Sequence, residues 1–171
     1  MLLGKKEAPA IITERLVLRH KMDKDIPEML DLFNNDEVRQ YLGGYPPREE
    51  RSMLRMIQGR KKTEWVVALA NNDEYIGECM LVKVVDGYLG EIGYYFRRSF
   101  WGYGYAREAV DALINYCAQE LKLKRLCATI DNNNVRSKRL IEKLNFELVA
   151  ILPEADFGGR VADVAYYTRI L

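Results

Sequence analysis

The sequence predicts an α+β fold with a mixed sheet, and three observations predict it. Segments with period-two alternation or β-branched runs recur in both halves of the chain, and other segments carry apolar residues at helical spacing. Nearly every junction between them holds Gly, Pro, Asn or Asp. No linker, repeat or low-complexity stretch interrupts the pattern, so residues 1–171 read as one domain. A chain of that length buries roughly 70% of its unfolded surface.

Taken in order, residues 13–19 alternate Leu16 and Leu18 with polar neighbours, as a strand does. From Asp23 to Phe33, Ile26, Met29, Leu30 and Phe33 share a helical face, with Asp23 or Lys24 near the cap and Pro27 in the first turn. Asn34-Asn35-Asp36 ends that helix. A short one follows over Glu37–Tyr41, and Gly43-Gly44-Tyr45-Pro46-Pro47 turns the chain. Residues 48–60 are helical through Met53, Leu54 and Ile57, and Gly59 stops them. Residues 64–70 and 75–85 read as strands joined by the hairpin signal Asn71-Asn72-Asp73. Asp86-Gly87 turns into a strand over Leu89–Arg97. A glycine-bearing loop then opens a helix of about 104–121, whose stripe is Ala106, Val110, Leu113, Ile114, Cys117 and Leu121. Strand 124–130, a turn at 131–134 and a helix of about 135–144 follow, the helix with Leu140, Ile141 and Leu144 inward. Two terminal strands, about 146–152 and 161–170, flank Gly158-Gly159.

Composition excludes several functions. Lys and Arg total 26 against 25 for Asp and Glu, a net charge of +1, without the basic excess of a direct nucleic-acid binder. No apolar run approaches the roughly 20 residues of a membrane helix. The opening MLLGKKEAPA has no hydrophobic stretch of signal length, so the expectation is a soluble, cytoplasmic protein with no membrane partner. Cys79, Cys117 and Cys127 have no metal-ligand spacing and read as buried reduced thiols. The single histidine, His20, reads as a surface residue after a strand, and no G-x-S-x-G turn exists to present a serine nucleophile. Chemistry without histidine or metal is expected.

The segment Arg98-Ser99-Phe100-Trp101-Gly102-Tyr103-Gly104-Tyr105-Ala106-Arg107-Glu108-Ala109 joins a strand to a helix. The first amides of that helix lack intrahelical partners and, with the helix dipole, form an anion site. Gly102 and Gly104 clear side chains from the backbone, although a tight turn would need the same glycines. A Walker loop requires G-K-[ST], which is missing. A dinucleotide fingerprint finds Arg107 at its third small position; Asp131, at the end of the next strand, is its one point of support.

The segment resembles the acyl-CoA pyrophosphate loop of the GNAT (general N-acetyltransferase) superfamily, especially the branch of the ribosomal-protein N-terminal, Rim-type, acetyltransferases. The resemblance covers nearly the whole chain. Thr13-Glu14-Arg15-Leu16-Val17-Leu18-Arg19 is similar to that branch's opening strand, and Asn35-Asp36-Glu37-Val38 with Tyr41-Leu42 to its substrate-side helices. Gly90-Glu91-Ile92-Gly93-Tyr94 with Trp101-Gly102-Tyr103-Gly104-Tyr105-Ala106 and Glu108-Ala109 resembles the central motif. Asn134-x-x-Ser137, then Leu140, Glu142-Lys143-Leu144 and Phe146, resembles the second. The family often has proline where Arg98 stands and glycine where Asn145 stands; Asn tolerates the left-handed conformation expected there. Its frequent general-acid tyrosine falls on Ile141.

The resemblance implies the GNAT fold, a mixed and mostly antiparallel sheet of about six to seven strands flanked by helices. It also implies an acyltransferase that moves the acetyl group of acetyl-CoA, without metal, to a primary amine such as a ribosomal-protein N-terminus. A polyamine or amino-sugar acceptor and a non-catalytic CoA-binding module remain alternatives, and a homodimer is left open. Glu91 is the candidate base, with Glu78 its rival, and Ser137 is the candidate donor to the departing sulfur. Trp101, Gly102, Tyr103, Gly104, Tyr105 and Ala106 would hold the pyrophosphate, Tyr95 and Phe96 the pantetheine amides, and Asn134 and Ser137 the pantetheine arm. Arg97, Arg98, Arg107, Arg136, Lys138 and Arg139 are candidate phosphate partners. Tyr41, Tyr45, Trp65, Tyr94, Trp101, Tyr103, Tyr166 and Tyr167 are candidates for the acceptor cleft, shared with the core, and Asp163 would attract a cationic amine.

Overall fold

A computed structural model describes residues 9–44, 46–59 and 63–171. Its strands are β1 (Ile11–Ile12), β2 (Leu16–Arg19), β3 (Glu64–Leu69), β4 (Tyr75–Val85), β5 (Leu89–Phe96), β6 (Arg125–Asp131), β7 (Glu147–Phe157) and β8 (Arg160–Ile170). They form one sheet in the order β1-β2-β3-β4-β5-β6-β8-β7. Every neighbouring pair is antiparallel except β5 with β6. The helices are α1 (Ile26–Asn34), α2 (Asp36–Arg39), α3 (Glu50–Gln58), α4 (Tyr105–Gln119) and α5 (Val135–Lys143), with a 3-10 turn at Asp23–Asp25.

The sheet has eight strands, against an expectation of six or seven. The extra strand is β1, because residues 13–15 form a turn and not the start of a strand. The Thr13 N–H donates to the Leu16 carbonyl at 2.9 Å, and the Leu16 N–H to the Thr13 hydroxyl at 3.0 Å. That folds Ile11 and Ile12 back onto Leu18 and Val17. β7 runs five residues past its expected end, through Pro153, because it is an edge strand where a missing N–H costs little. Asn145 takes the expected left-handed conformation, with φ 60°.

Two apolar clusters lie on opposite faces of the sheet. α4 and α5 bring Val110, Leu113, Ile114, Cys117, Ile141 and Leu144 onto Leu81, Ile92, Phe96 and Leu126. α1 and α3 bring Met29, Leu32, Phe33, Met53 and Ile57 onto Val66, Ala68 and Tyr75. On α1, Leu32 is fully buried where the spacing had favoured Leu30. Trp65 and Tyr167 are core residues; Tyr45 lies outside the described residues. All three cysteines are buried and free. Burial pushes the Cys117 thiol up to about 12 and the other two upward, which keeps them protonated and unreactive.

β4 and β5 approach closely at Gly77, where a Cβ would stand 2.3 Å from the Tyr95 carbonyl oxygen. We expect Gly77→Ala to destabilise the fold by about 1–3 kcal/mol, the usual cost of overpacking, and so lower the melting temperature by several degrees. An unchanged thermal transition would remove the close approach as a constraint.

Candidate functional site

β5 and β6 pair only through Leu89–Arg125, Gly90–Leu126 and Glu91–Cys127. β5 then continues to Phe96 and β6 to Asp131 without meeting, so their facing edges beyond Glu91 have no strand partner between them. Backbone amides and carbonyls along such a gap need partners from elsewhere. An extended, amide-bearing ligand suits it, by the logic of strand addition. The gap opens toward the loop 97–104 and the N-terminus of α4.

Gly102 and Gly104 have φ of 90° and 82°, so both positions need glycine, and nothing lies within 4 Å of where a Cβ of Gly102 would be. Gly104 is the N-cap of α4 with no side-chain cap, leaving the amides of Tyr105 and Ala106 directed out of the helix. Trp101 donates its indole N–H to the Phe96 carbonyl at 2.8 Å, and the guanidinium groups of Arg136 and Arg98 stand 3.9 Å and 5.0 Å from its ring centre. It anchors the loop to the end of β5, and Phe96 is itself buried in the core.

The loop is clamped from the other side by the turn before β2. Glu108 accepts from the Thr13 hydroxyl at 2.6 Å, the Arg15 N–H at 2.9 Å and the Arg15 Nε at 2.7 Å. Arg15 also donates to the Tyr103 carbonyl at 3.0 Å and lies over the Tyr105 ring. Thr13 and Arg15, expected in a strand, are therefore supports of the loop. A cleft of about 420 Å³ lies beside Gly104, its charged lining Arg15, Arg107, Lys143 and Arg169 with Glu108 and Asp111.

Arg97 is paired with Asp31 and Arg98 with Glu37, while Lys138 donates to Asn132. Of the six predicted cations Arg107 lines the cleft, together with Arg15, Lys143 and Arg169, which three separate elements bring there.

At the start of α5 the Asn134 carboxamide accepts from the Ser137 N–H at 3.1 Å, the cap its position predicts. Ser137 Oγ lies 2.7 Å from the Tyr94 hydroxyl, which is 3.3 Å from the Ser137 carbonyl. One turn on, Ile141 is fully buried.

Glu91 is partly buried and accepts from the Thr129 hydroxyl across the β5–β6 seam at 2.8 Å. Glu78 is wholly buried. The Tyr75 hydroxyl donates to it at 3.0 Å and Lys21 Nζ stands 3.0 Å from its other oxygen. Burial pushes the Glu78 carboxyl up, and Lys21 and Tyr75 only partly offset this. Asp131 accepts from the Asn133 N–H at 2.8 Å and pairs with Arg160, so it is engaged by the protein itself. Arg160 also donates to the Gln40 carbonyl, and the Gly44 N–H donates to the Gly158 carbonyl, which fastens the segment after α2 to the β7–β8 turn. Asp163 is exposed and caps the Glu154 N–H. A doubly wound dinucleotide fold is excluded by the single parallel pair. No cluster of metal-ligating side chains occurs among the described residues.

A family profile described as Acetyltransferase (GNAT) domain matches residues 15–147. The uncharacterized N-acetyltransferase p20 of Bacillus licheniformis is 30% identical over 170 residues, covering 94% of this chain and 95% of its own length. RimL, a ribosomal L7/L12 alpha-N-protein acetyltransferase solved with coenzyme A, superposes with a TM-score of 0.80 at 21% identity, over 95% of this chain and 98% of that one. A spermidine N-acetyltransferase from Vibrio cholerae, solved with CoA and spermine, also gives 0.80 at 21% identity, over 92% and 96%.

The Glu108 clamp has a pH signature. Burial pushes its carboxyl up, but the Thr13 and Arg15 hydrogen bonds outweigh this and hold it below the ordinary value. A carboxyl depressed in the folded state adds stability that is complete above its unfolded value, about 4.3, and is lost as pH falls through the folded one. We expect Glu108→Gln to lose more stability at about pH 6 than at about pH 3 in thermal denaturation. Equal losses would remove charge from the clamp.

Proposed function

Because the chain belongs to the GNAT acetyltransferase family and is an acetyl-transferring enzyme, we propose that it moves the acetyl group of acetyl-CoA to a protein N-terminal α-amino group. The observation that carries this reading is the β5–β6 gap ending at the uncapped amides of α4. The gap suits the two amides of pantetheine, and the amides behind Gly102 and Gly104 suit a pyrophosphate. Arg107, Lys143 and Arg169 supply positive charge beside it, Arg15 being paired with Glu108. Asn134 and Ser137 border the pantetheine arm in this reading, and Ser137 serves the departing sulfur.

The acceptor assignment rests on likeness to RimL and on acidity. An α-amino group titrates at about 7.7–8.0 against about 10.4 for a lysine side chain, so it reaches the neutral, nucleophilic form at less cost. Glu91, through water, is the proposed base, since Glu78 is sealed from any ligand. The likeness to the spermidine enzyme supports a second reading, a polyamine acceptor on the same donor site. N-terminal peptides and polyamines compared by CoA release separate the two. Release with neither, while acetyl-CoA still binds, would point to another amine acceptor on the same donor site.

Two variants test the roles. A β-branched residue at Gly104 is strained at φ 82° and displaces the amides behind it. We expect Gly104→Val to weaken acetyl-CoA at least tenfold, about 1.4 kcal/mol, by calorimetry. Unchanged binding would remove the pyrophosphate assignment. Glu91→Gln keeps the hydrogen bond from Thr129 and deletes the base. Turnover should fall about 10²–10⁴-fold with acetyl-CoA affinity retained, the usual weight of a general base. A rate within about threefold of wild type would transfer proton removal to solvent.

A further inference from the structure

Resting on that reading of Ser137, we infer that Tyr94 is a positioning residue for the leaving sulfur, donating its hydroxyl to Ser137 Oγ so that the Ser137 proton faces the β5–β6 gap. Tyr94 OH stands 2.7 Å from Ser137 Oγ and 3.3 Å from the Ser137 carbonyl. The Tyr94 phenol has one hydrogen, and Ser137 Oγ is the nearer of its two neighbours, so across that short contact one hydroxyl donates and the other accepts. When Tyr94 donates, Ser137 keeps its own hydrogen for a ligand; when Ser137 donates, that hydrogen is spent inside the protein. Burial, against which the Ser137 contact is the weaker influence, pushes the Tyr94 phenol well above its ordinary range, so it stays a protonated donor. Asn134 fixes the backbone of the same residue through its cap, so Ser137 is held at its N–H and at its hydroxyl.

The two residues come from different elements. Tyr94 follows the residues where β5 has parted from β6, and Ser137 lies in the first turn of α5. Together they put a pair of hydroxyls on the face of α5 that carries Ile141, which offers no polar group. The step they serve balances without ionising either. The amine nitrogen forms a bond to the carbonyl carbon and the carbon–sulfur bond breaks. Sulfur leaves with the electron pair as a thiolate, accepting a hydrogen bond from Ser137, and the proton lost by the amine passes through water to Glu91.

The test is a cycle of Tyr94→Phe, Ser137→Ala and the double variant, read in two ways. The first is kcat against KM for acetyl-CoA. We expect each single variant to lose about tenfold or more in kcat with KM little changed, and the double to lose no more than Ser137→Ala alone. The second needs no acceptor: the ultraviolet absorbance of the thiolate in bound CoA, titrated with pH. Wild type should lower the pKa of the bound thiol, and both single variants should return it by similar amounts. Multiplying losses in the cycle, or a bound thiol unchanged in Tyr94→Phe but shifted in Ser137→Ala, would overturn the role of Tyr94. Failure of the acetyl-transfer reading itself would show as no turnover in wild type, with the CoA titration still deciding the hydroxyl pair.

Discussion

The parting of β5 from β6 after Glu91 and Cys127 is the constraint on which the rest of the site depends. Two strands that could continue to pair instead leave their facing backbone groups open, a cost met only where another partner is available. Elements on both sides hold them apart. Trp101 ties off β5 at the Phe96 carbonyl, while β6 is drawn along its full length into the antiparallel ladder with β8. Asp131, at the tip of β6, is fixed by Arg160 and by the turn that starts α5. The gap is therefore enforced by the fold, and a ligand supplying amides in extended form would complete the sheet.

The loop beside the gap is stiffened before any ligand arrives. Glu108, Thr13 and Arg15 lock the first turn of α4 to the turn that precedes β2. Phosphate binding at a helix N-terminus is strongest when the amides are already aligned, because little ordering remains to be done on binding. Several cations around the loop are committed to acidic partners or to aromatic faces, as Arg97, Arg98 and Arg136 are. Under the proposed function backbone amides therefore carry much of the anion recognition, with Arg107, Lys143 and Arg169 in the cleft beside them and Arg15 held by Glu108.

Much of this was legible in the chain because it is local. Glycines at positive φ, the Asn134 cap and the stripes of α4 and α5 follow from dihedral limits and helical period, and the structure contains them. What the sequence hid depends on elements far apart in the chain. The Thr13 turn is closed by a hydroxyl that also holds Glu108, 95 residues away. Nothing near Thr13 distinguishes such a turn from a strand start. Tyr94 and Ser137 meet across 43 residues, and Lys143 and Arg169 reach the cleft from different elements. Glu78 read as a rival base because it lies on the strand next to that of Glu91, and adjacency does not show that Lys21 and Tyr75 close around it.

The place of Ile141 follows from the energetics of the leaving group. A thiol of pKa about 8.5 needs little help to depart as a thiolate near neutral pH; a gap of about 1.5 units costs roughly 2 kcal/mol. One hydrogen bond to a charged group contributes about 1.5–3 kcal/mol, which covers that sum. A full acid on α5 is then dispensable under the proposed mechanism, and the position four residues after Ser137 is free to serve packing. Ile141 is fully buried in the core beneath α4 and α5, where a tyrosine ring would have to be accommodated at an overpacking cost of about 1–3 kcal/mol. Residues four apart share a helix face. α5 thus uses one face twice, sinking Ile141 into the core and bringing Ser137, a turn earlier, to the hydroxyl of Tyr94.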